Sequence, residues 1–501
     1  MTSEALPGLS LTFVPQGSGE EPLRTDVAAF LGRTRRGPVD RPVRVESWND
    51  VLGVFGPLDG SCSTPYALRG FFENGGRTAW VLRVAGAGET ASTLWTVGGS
   101  GGFAHPRYQV VATSPGAWAN GGRVVITFQG STVAGPPTVT VRVLIPGEPP
   151  EIFPGLPPAE VADRLAASRL IRLVPDGSPG PAEPGPISVT WDLTLAGGSD
   201  AEPGVADYLR GVRTQADLPE PALVALPDLG ADLTGSAHTD TVLELLRTIQ
   251  PLHDRLAVLD VPPGLSSVDD TVAWVGSLVS LGDDALLGSA AVYHPPLRAP
   301  DVRGVVALPL RTVPASGHVL GVIARLDAER GAHHTPANAV VLDAVDLARE
   351  FPEPQQIRLF EAGVDLIRCT RGRGLLVWGG RTLAVGAGNR FVAHRRLVHL
   401  LVRAIRRVAS PLVFDVNSPE LRLTLVRALT SVLLSAFRSG ALAGSRPEQA
   451  FQVLCDDQNN PPEQDPGQVV CEVAVAPAVP MEFIRLRLVL GQDRGLEVIE
   501  A

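Results

Sequence analysis

The chain contains no lysine, so all 43 of its basic residues are arginine. Aspartate and glutamate together number 53, which gives a formal net charge of −10. A protein without a basic excess has little charge to neutralise phosphates, so this composition argues against nucleic acid as a partner. The exclusive use of arginine suits a protein with many interfaces, because the planar guanidinium group binds carboxylates through two contacts.

Cysteines and long apolar runs are also scarce. The only cysteines are Cys62, Cys369, Cys455 and Cys471, and no two of them have CxxC spacing. A chain of 501 residues does not need disulfide bonds for stability, so we expect reduced, structural cysteines. Residues 1–30 contain charged residues and no long apolar run, which predicts no signal peptide. No segment reaches about 18 uninterrupted apolar residues, so we expect cytoplasmic synthesis and no membrane insertion.

Both ends of the chain carry a short run with the pattern of a β-strand. Phe483 to Leu490 (FIRLRLVL) alternates apolar and other residues, and Leu9 to Val14 (LSLTFV) is a similar run near the N-terminus. The residues proposed for strand pairing are Leu9, Leu11 and Phe13 in the first run, and Phe483, Ile484, Leu486, Leu488 and Leu490 in the second. Each strand must join a sheet to satisfy its backbone groups. It can pair within its own chain, or act as an arm that joins the sheet of a neighbouring subunit; no local partner is obvious in the preceding sequence.

Changes in composition divide the chain into four predicted segments. Residues 1–95 carry strand and helix patterns, and residues 96–202 open with a glycine-rich break and read as a β-rich inserted domain. Residues 203–335 alternate apolar strands with helices, which predicts a mostly parallel sheet. Residues 336–501 hold two strong helices and the terminal strand. The predicted fold class is therefore mixed α/β with several domains.

One of these helices, predicted over residues 395–408, gathers five arginines. They are Arg395, Arg396, Arg403, Arg406 and Arg407. Arg396, Arg403 and Arg407 follow one face, while leucine, alanine and isoleucine follow the other. The local positive charge in an acidic protein predicts a contact with an acidic partner. The alternative is a solvated helix face or salt bridges within the chain.

No catalytic, metal-binding or nucleotide-binding motif is complete. Ser316 and His318 with Asp260 or Asp327 could be assembled into a triad, but a GxSxG elbow is missing, so a structural histidine is the simpler interpretation. His333 and His334 are adjacent and lack further ligands, and Gly372 and Gly374 do not complete a dinucleotide fingerprint. The run from Asp456 to Asn460 is most simply a polar turn. We predict no cofactor, no metal and no catalytic residue.

Several segments resemble the contractile tail sheath proteins of bacteriophages and related contractile injection systems. In chain order they are Ala28–Asp40 (AAFLGRTRRGPVD), Tyr66–Val84 (YALRGFFENGGRTAWVLRV), Val313–Asn338 (VPASGHVLGVIARLDAERGAHHTPAN), Leu375–Leu383 (LLVWGGRTL) and Gly440–Asn460 (GALAGSRPEQAFQVLCDDQNN). Ordered blocks over such a span are more specific than a single motif. Residues 96–199 match loosely, as an insertion that varies in the family.

The resemblance implies a structural subunit of a contractile tail or injection machine in bacteria. Such subunits stack as hexameric rings around an inner tube protein, contact baseplate and tail-terminator proteins, and contract to drive the tube through a target envelope. It also implies a subtilisin-like α/β middle domain without an active site, and an α+β C-terminal domain with exchanged terminal strands. The arginine helix then becomes a candidate contact for the tube. The rival functions are a self-assembling shell protein and a hydrolase built on the middle α/β domain.

Overall fold

The computed structural model describes residues 23–39, 41–95, 108–130, 136–175, 188–265, 267–301, 310–386, 388–412, 417–461, 468–478, 484–491 and 495–500. The strands are β1 (Ala28–Gly32), β2 (Val43–Val45), β3 (Ala79–Arg83), β4 (Ser92–Trp95), β5 (Tyr108–Ala112), β6 (Arg123–Gln129), β7 (Thr138–Leu144), β8 (Glu151–Leu156), β9 (Ile171–Pro175), β10 (Ser188–Thr194), β11 (Leu223–Ala225), β12 (Leu256–Asp260), β13 (Ala290–His294), β14 (Leu297–Pro300), β15 (Leu310–Val313), β16 (Asp346–Leu347), β17 (Val364–Thr370), β18 (Gly374–Trp378), β19 (Phe451–Leu454), β20 (Gln468–Val475), β21 (Ile484–Gly491) and β22 (Gly495–Glu500). The α-helices are α1 (Trp48–Phe55), α2 (Thr64–Glu73), α3 (Val161–Leu165), α4 (Val205–Ala216), α5 (Leu229–Asp232), α6 (Gly235–Ile249), α7 (Val268–Leu281), α8 (Asp284–Leu287), α9 (Ser316–Arg330), α10 (Glu353–Glu361), α11 (Val392–Ala409), α12 (Pro419–Arg438) and α13 (Pro447–Ala450).

An eight-stranded sheet with the order β18-β17-β13-β12-β11-β1-β3-β2 forms the centre of the molecule. The six inner strands are parallel, and β2 and β18 run antiparallel at the edges. Helices cover both faces, so the strands are runs of buried apolar residues rather than alternating ones. Phe30 points into one apolar core with Phe71 of α2, and Leu31 points into the other with Tyr208 of α4. The predicted parallel sheet and mixed α/β class are confirmed.

This sheet crosses the boundaries of the predicted segments. It takes β1 to β3 from residues 1–95, β11 to β13 from residues 203–335, and β17 and β18 from residues 336–501. The sequence predicts Ser47 as the cap of a helix, and its hydroxyl accepts a hydrogen bond from the Asp50 amide at the start of α1 (3.2 Å). The division into four segments stays a prediction, but one rigid sheet joins three of them.

The inserted region has its own apolar core between a three-stranded sheet (β4-β5-β9) and a four-stranded sheet (β10-β6-β7-β8). The sequence predicts strands over residues 108–112, 123–128, 138–144 and 187–195, which correspond to β5, β6, β7 and β10; β4, β8 and β9 are not predicted. The sequence also predicts a helix over residues 158–168, where the structure has a 3₁₀ turn followed by α3. The insertion is docked on the central sheet by Glu148, whose fully buried side chain is paired with Arg36 (3.2 Å) and lies 3.6 Å from Arg35.

The C-terminal part consists of α11, α12 and the sheet β19-β20-β21-β22. Both helices were predicted, and Ser418 caps α12 by accepting a hydrogen bond from the amide of Leu421 (3.2 Å). The apolar face of α11 packs against α12 and β20 in a separate core. The opposite face of α11 is turned toward the central sheet, so this helix joins the two parts of the molecule.

Candidate assembly site

The C-terminal sheet carries the terminal strand that the sequence identified. Strand β21 pairs antiparallel with β20 along its whole length, from Val475 opposite Ile484 to Gln468 opposite Gly491. A further strand, β22, pairs with the outer side of β21. Alternate residues of β20 are buried against α11 and α12, among them Val473 and Val475. The sheet is therefore anchored through β20, with β21 and β22 added outside it.

This pairing changes one expectation. No local partner for the terminal strand was obvious in the sequence, but β20 precedes it and pairs with it, as the alternative of pairing within its own chain predicts. Phe483 and the N-terminal run with Leu9, Leu11 and Phe13 lie outside the described residues. Pairing with a neighbouring subunit, through Ile484, Leu486, Leu488 and Leu490, stays a prediction. Strand β22 was missed, although the adjacent β-branched residues Val498 and Ile499 were a signal for it.

The arginine helix faces the protein interior. Arg395 and Arg396 are buried, and the Arg396 side chain is only 1% exposed. Its guanidinium group pairs with Asp327 of α9, whose side chain is 4% exposed. The same group donates to the carbonyl oxygens of Thr25 and Ala222, the latter at 3.2 Å. Burial raises the pKa of Asp327, while the charge of Arg396 opposes that rise.

Arg403 and Arg406 continue this network along α11. Arg403 donates to the carbonyl oxygens of Arg24 (2.8 Å), Glu220 (2.7 Å) and Pro221 (2.5 Å). Its Nε lies 3.3 Å from Asp254 Oδ2, which also accepts a hydrogen bond from Arg406 (3.2 Å). Burial lowers the pKa of Arg403 to about 10.

These partners lie just before the first residues of three neighbouring parallel strands. Thr25 precedes β1, Ala222 precedes β11, and Asp254 precedes β12. Because parallel strands begin at the same edge of a sheet, three guanidinium groups bind one edge. We call Arg396, Arg403 and Arg406 with their partners the arginine clamp.

The predicted basic surface is therefore wrong for Arg395, Arg396 and Arg403, because burial removes them from any external partner. The alternative of salt bridges within the chain is confirmed for Arg396, Arg403 and Arg406. Arg406 keeps 32% of its side chain exposed, and Arg407 is partly exposed. The tube contact stays a prediction for these two residues. The sequence pattern separated a charged face from an apolar one, but it carried no signal for Asp327 and Asp254 as partners.

The residues considered for a catalytic triad do not come together. Ser316 and His318 lie two positions apart on α9, and Asp327 is paired with Arg396. Asp260 accepts a hydrogen bond from the backbone amide of Ser316 (2.9 Å). His318 is fully buried so close to α2 that a Cβ atom added at Gly70 would lie 2.4 Å from its ring. Burial lowers the pKa of His318 to about 4, which keeps the ring uncharged in the core; the interpretation as a structural histidine stays a prediction.

The other polar motifs are also structural. Asp456 Oδ1 accepts hydrogen bonds from the amides of Gln458 (2.9 Å) and Asn459 (3.3 Å), as in a polar turn. Asn460 is buried and ties that turn to β20 by donating to the Val470 carbonyl (2.9 Å). In the described part of the chain, no group of three or more His, Cys, Asp and Glu side chains could hold a metal ion.

Comparison with known proteins gives matches to one kind of protein. Residues 208–383 match the family model of the phage tail sheath protein central domain. The tail sheath protein of Enterobacteria phage T4 is 28% identical over 185 residues, which are 36% of this chain and 27% of that protein. The chain thus matches about a quarter of the length of this curated relative.

Solved structures extend the likeness to the whole fold. The sheath tail protein from Desulfitobacterium hafniense aligns over 97% of this chain and 100% of its own, with a TM-score of 0.63 and 16% identity. The helical sheath of the anti-feeding prophage in its contracted state aligns over 95% and 98%, with a TM-score of 0.55 and 19% identity. Residues 208–383 are therefore similar to the phage tail sheath central domain, and the fold of the chain is similar to that of solved sheath proteins. No helix among the described residues is long and apolar enough to cross a membrane.

Proposed function

We propose that this protein is the structural sheath subunit of a contractile tail or injection machine. The observation that carries the proposal is the match of residues 208–383 to the sheath central domain, inside a fold that aligns with a sheath tail protein over 97% of the chain. In this proposal the subunits assemble as hexameric rings, stacked helically around an inner tube protein. Contraction then drives the tube through a target envelope. Baseplate and tail-terminator proteins contact the two ends of the stack, and catalysis plays no part.

In this proposal each subunit has a rigid core, and its terminal strands can pair with the sheets of neighbouring subunits. Head-to-tail interfaces that do not close generate helical filaments, as a sheath requires. A backbone hydrogen bond contributes about 0.5–1.5 kcal/mol net, so a strand shared between neighbours holds them together without fixing their orientation. The rigid cores can then repack into a shorter arrangement of lower energy, from an extended state that persists because its barrier is high.

Strand β21 is suited to such sharing. It pairs with β20 through an antiparallel backbone ladder, and an identical strand from a second subunit offers the same backbone and the same residues. Exchange of an identical element is a low-cost route to association, because the contacts within the exchanged element are conserved. The anchored strand β20 would remain in place while the source of its neighbour changes.

Electron microscopy of the purified full-length protein tests the proposal. The full chain should form long tubes, whereas a variant lacking residues 479–501 should remain folded and monomeric. A matched control lacking only residues 492–501 retains β21 and should still assemble. If the variant that lacks residues 479–501 still forms tubes, the terminal strand is not the element that joins the subunits. Closed particles would favour a shell protein, and turnover of ester or peptide substrates would favour a hydrolase.

A further inference from the structure

Two of the four cysteines face each other across the C-terminal sheet. The antiparallel register of β19 and β20 pairs Leu454 with Glu472. One position further along this antiparallel ladder, Cys455 therefore lies opposite Cys471. Directly opposite residues have Cα atoms about 4.5–5.5 Å apart, which lies inside the range of about 4.4–6.8 Å found in disulfides.

The side chains of this pair are in contact and differ in access. Cys455 packs against the apolar cluster that contains Cys471, and both thiols are free in the structure. Cys455 is partly exposed, whereas Cys471 is fully buried in the core between the sheet and the two long helices. One sulfur can therefore be reached by a reagent from solution, and the second lies next to it.

The environment also divides the two chemical roles. The neighbouring Cys471 thiol lowers the pKa of Cys455, and the nearby cation of Arg422 acts in the same direction. The neighbouring Cys455 thiol, together with burial, raises the pKa of Cys471. A thiolate is the attacking species in thiol–disulfide exchange, so Cys455 is the attacking residue and Cys471 the resolving one.

We propose that Cys455 and Cys471 form a reversible disulfide bond under oxidising conditions, which joins β19 covalently to β20. With a small disulfide such as oxidised glutathione as the oxidant, the Cys455 thiolate attacks one glutathione sulfur and releases one glutathione thiolate. Cys471 then loses its proton, and its sulfur attacks the Cys455 sulfur and releases the second glutathione. Two protein thiols are oxidised to one disulfide, and one oxidised glutathione is reduced to two thiols.

The other two cysteines lack this arrangement. Cys369 is exposed on β17, and its cross-strand neighbour on β18 is Leu375, so a mixed disulfide there has no resolving partner. Cys62 is buried, and burial raises the pKa of its thiol. Oxidation should therefore give different products at the three places.

The bond would act on the sheet proposed to exchange its terminal strand, a consequence that rests on the proposed function. Strand β20 is the strand on which β21 pairs, and β19 lies on its other side. A covalent β19–β20 pair would keep this template intact in a particle that leaves the reducing cytoplasm. The chemical test below does not depend on assembly.

Peptide mapping of the oxidised full-length protein tests the proposal. Reduced protein is incubated with oxidised glutathione, its remaining thiols are alkylated, and it is digested with trypsin, which does not cut between Arg446 and Pro447. Residues 439–485 are then released as one peptide that contains both cysteines and no internal cleavage site. We expect this peptide unalkylated and lighter by two hydrogen atoms than its reduced form. Cys369 lies in a separate peptide, which we expect to carry glutathione.

Three comparisons make the result decisive. The variant Cys471→Ser should stop at a glutathione adduct on Cys455, whereas Cys369→Ser should leave the internal disulfide unchanged. Closure of the internal disulfide from the Cys455–glutathione adduct should be at least about tenfold slower in concentrated urea, because unfolding removes the cross-strand proximity of the two cysteines. A wild-type peptide with glutathione on Cys455 and a free Cys471 would overturn the proposal. Equal rates in the folded and unfolded protein would overturn it as well.

Discussion

The substitution Arg396→Met should destabilise the protein strongly, although it lies far from any proposed interface. The Arg396 and Asp327 side chains are only 1% and 4% exposed, so the variant leaves a buried carboxylate without its cation. Removing one partner of a buried ion pair costs about 3–5 kcal/mol. The carbonyl oxygens of Thr25 and Ala222 also lose their donor. Each buried group left unsatisfied costs about 1–3 kcal/mol, so the loss is a large part of an ordinary domain's stability of about 5–15 kcal/mol.

The pH dependence of this loss follows from Asp327. Burial already raises its pKa in the folded protein, and the charge of Arg396 opposes that rise. Without Arg396 the folded-state pKa rises further above the unfolded value. A group whose folded pKa is raised favours folding at low pH and loses that contribution as pH rises. The stability deficit of Arg396→Met should therefore be larger at pH 8 than at pH 5.

Urea unfolding combined with hydrogen exchange measures the effect globally and locally. The amides of β1 and β11 should exchange faster, because the residues that precede them are held by Arg396. The control is Arg358→Met, which removes a surface pair with Asp269 whose side chains are 54% and 76% exposed, and should cost below about 1 kcal/mol. The double variant Arg396→Met with Asp327→Leu should recover part of the loss. If Arg396→Met and Arg358→Met are equally stable, the clamp does not stabilise the fold.

Two further predictions concern other buried carboxylates. Glu148→Gln should loosen the insertion from the central sheet, because it removes the charge paired with Arg35 and Arg36. Limited proteolysis should then cut the connecting residues 84–91 and 196–204 faster than in the wild type. Unchanged cleavage would count against this docking contact. Asp260→Asn should stabilise the protein at pH 7 and not at pH 3, because burial raises the pKa of Asp260 to about 6 from 3.8 and its ionisation opposes folding. A pKa shift of this size lowers the free energy of unfolding of the wild type by at most about 3 kcal/mol as pH rises from about 4 to about 6. A stability difference between wild type and Asp260→Asn that does not vary with pH would contradict this prediction.

The parts of the fold that the sequence predicted are those whose signals are local. Strands β1 and β12 are buried on both faces, so their apolar runs appear directly in the sequence. Helices α1 and α12 begin at serines whose side chains cap them, and that signal spans only four residues. The missed strands of the insertion lack such signals. Strand β8, for example, contains proline and glycine and is largely exposed, so neither burial nor alternation marks it.

The arginine helix shows where local signals end. The pattern within α11 correctly separated a charged face from an apolar face. The pattern did not show whether the charged face contacts solvent or buried partners. The groups that bind Arg396 lie 69 residues away at Asp327 and 371 residues away at Thr25. Only the fold brings these groups together. The cysteine pair is similar, because its proximity depends on the register between β19 and β20.

The position of α11 bears on how a contracting sheath could transmit force. One face of this helix packs on α12 and on β20, and β20 pairs with the terminal strand β21. The other face holds the carbonyl oxygens of Arg24 and Thr25, which follow the N-terminal run in sequence. Helix α11 therefore contacts the segment that follows the N-terminal run and the strand that precedes the C-terminal run. A backbone ladder opens one hydrogen bond at a time, about 0.5–1.5 kcal/mol each. Opening the clamp instead separates buried charges from their partners in one step, which is strongly unfavourable. In the proposed sheath, strands shared between subunits should therefore adjust before the clamp opens. Each subunit would then move as a rigid body while its connections to its neighbours change.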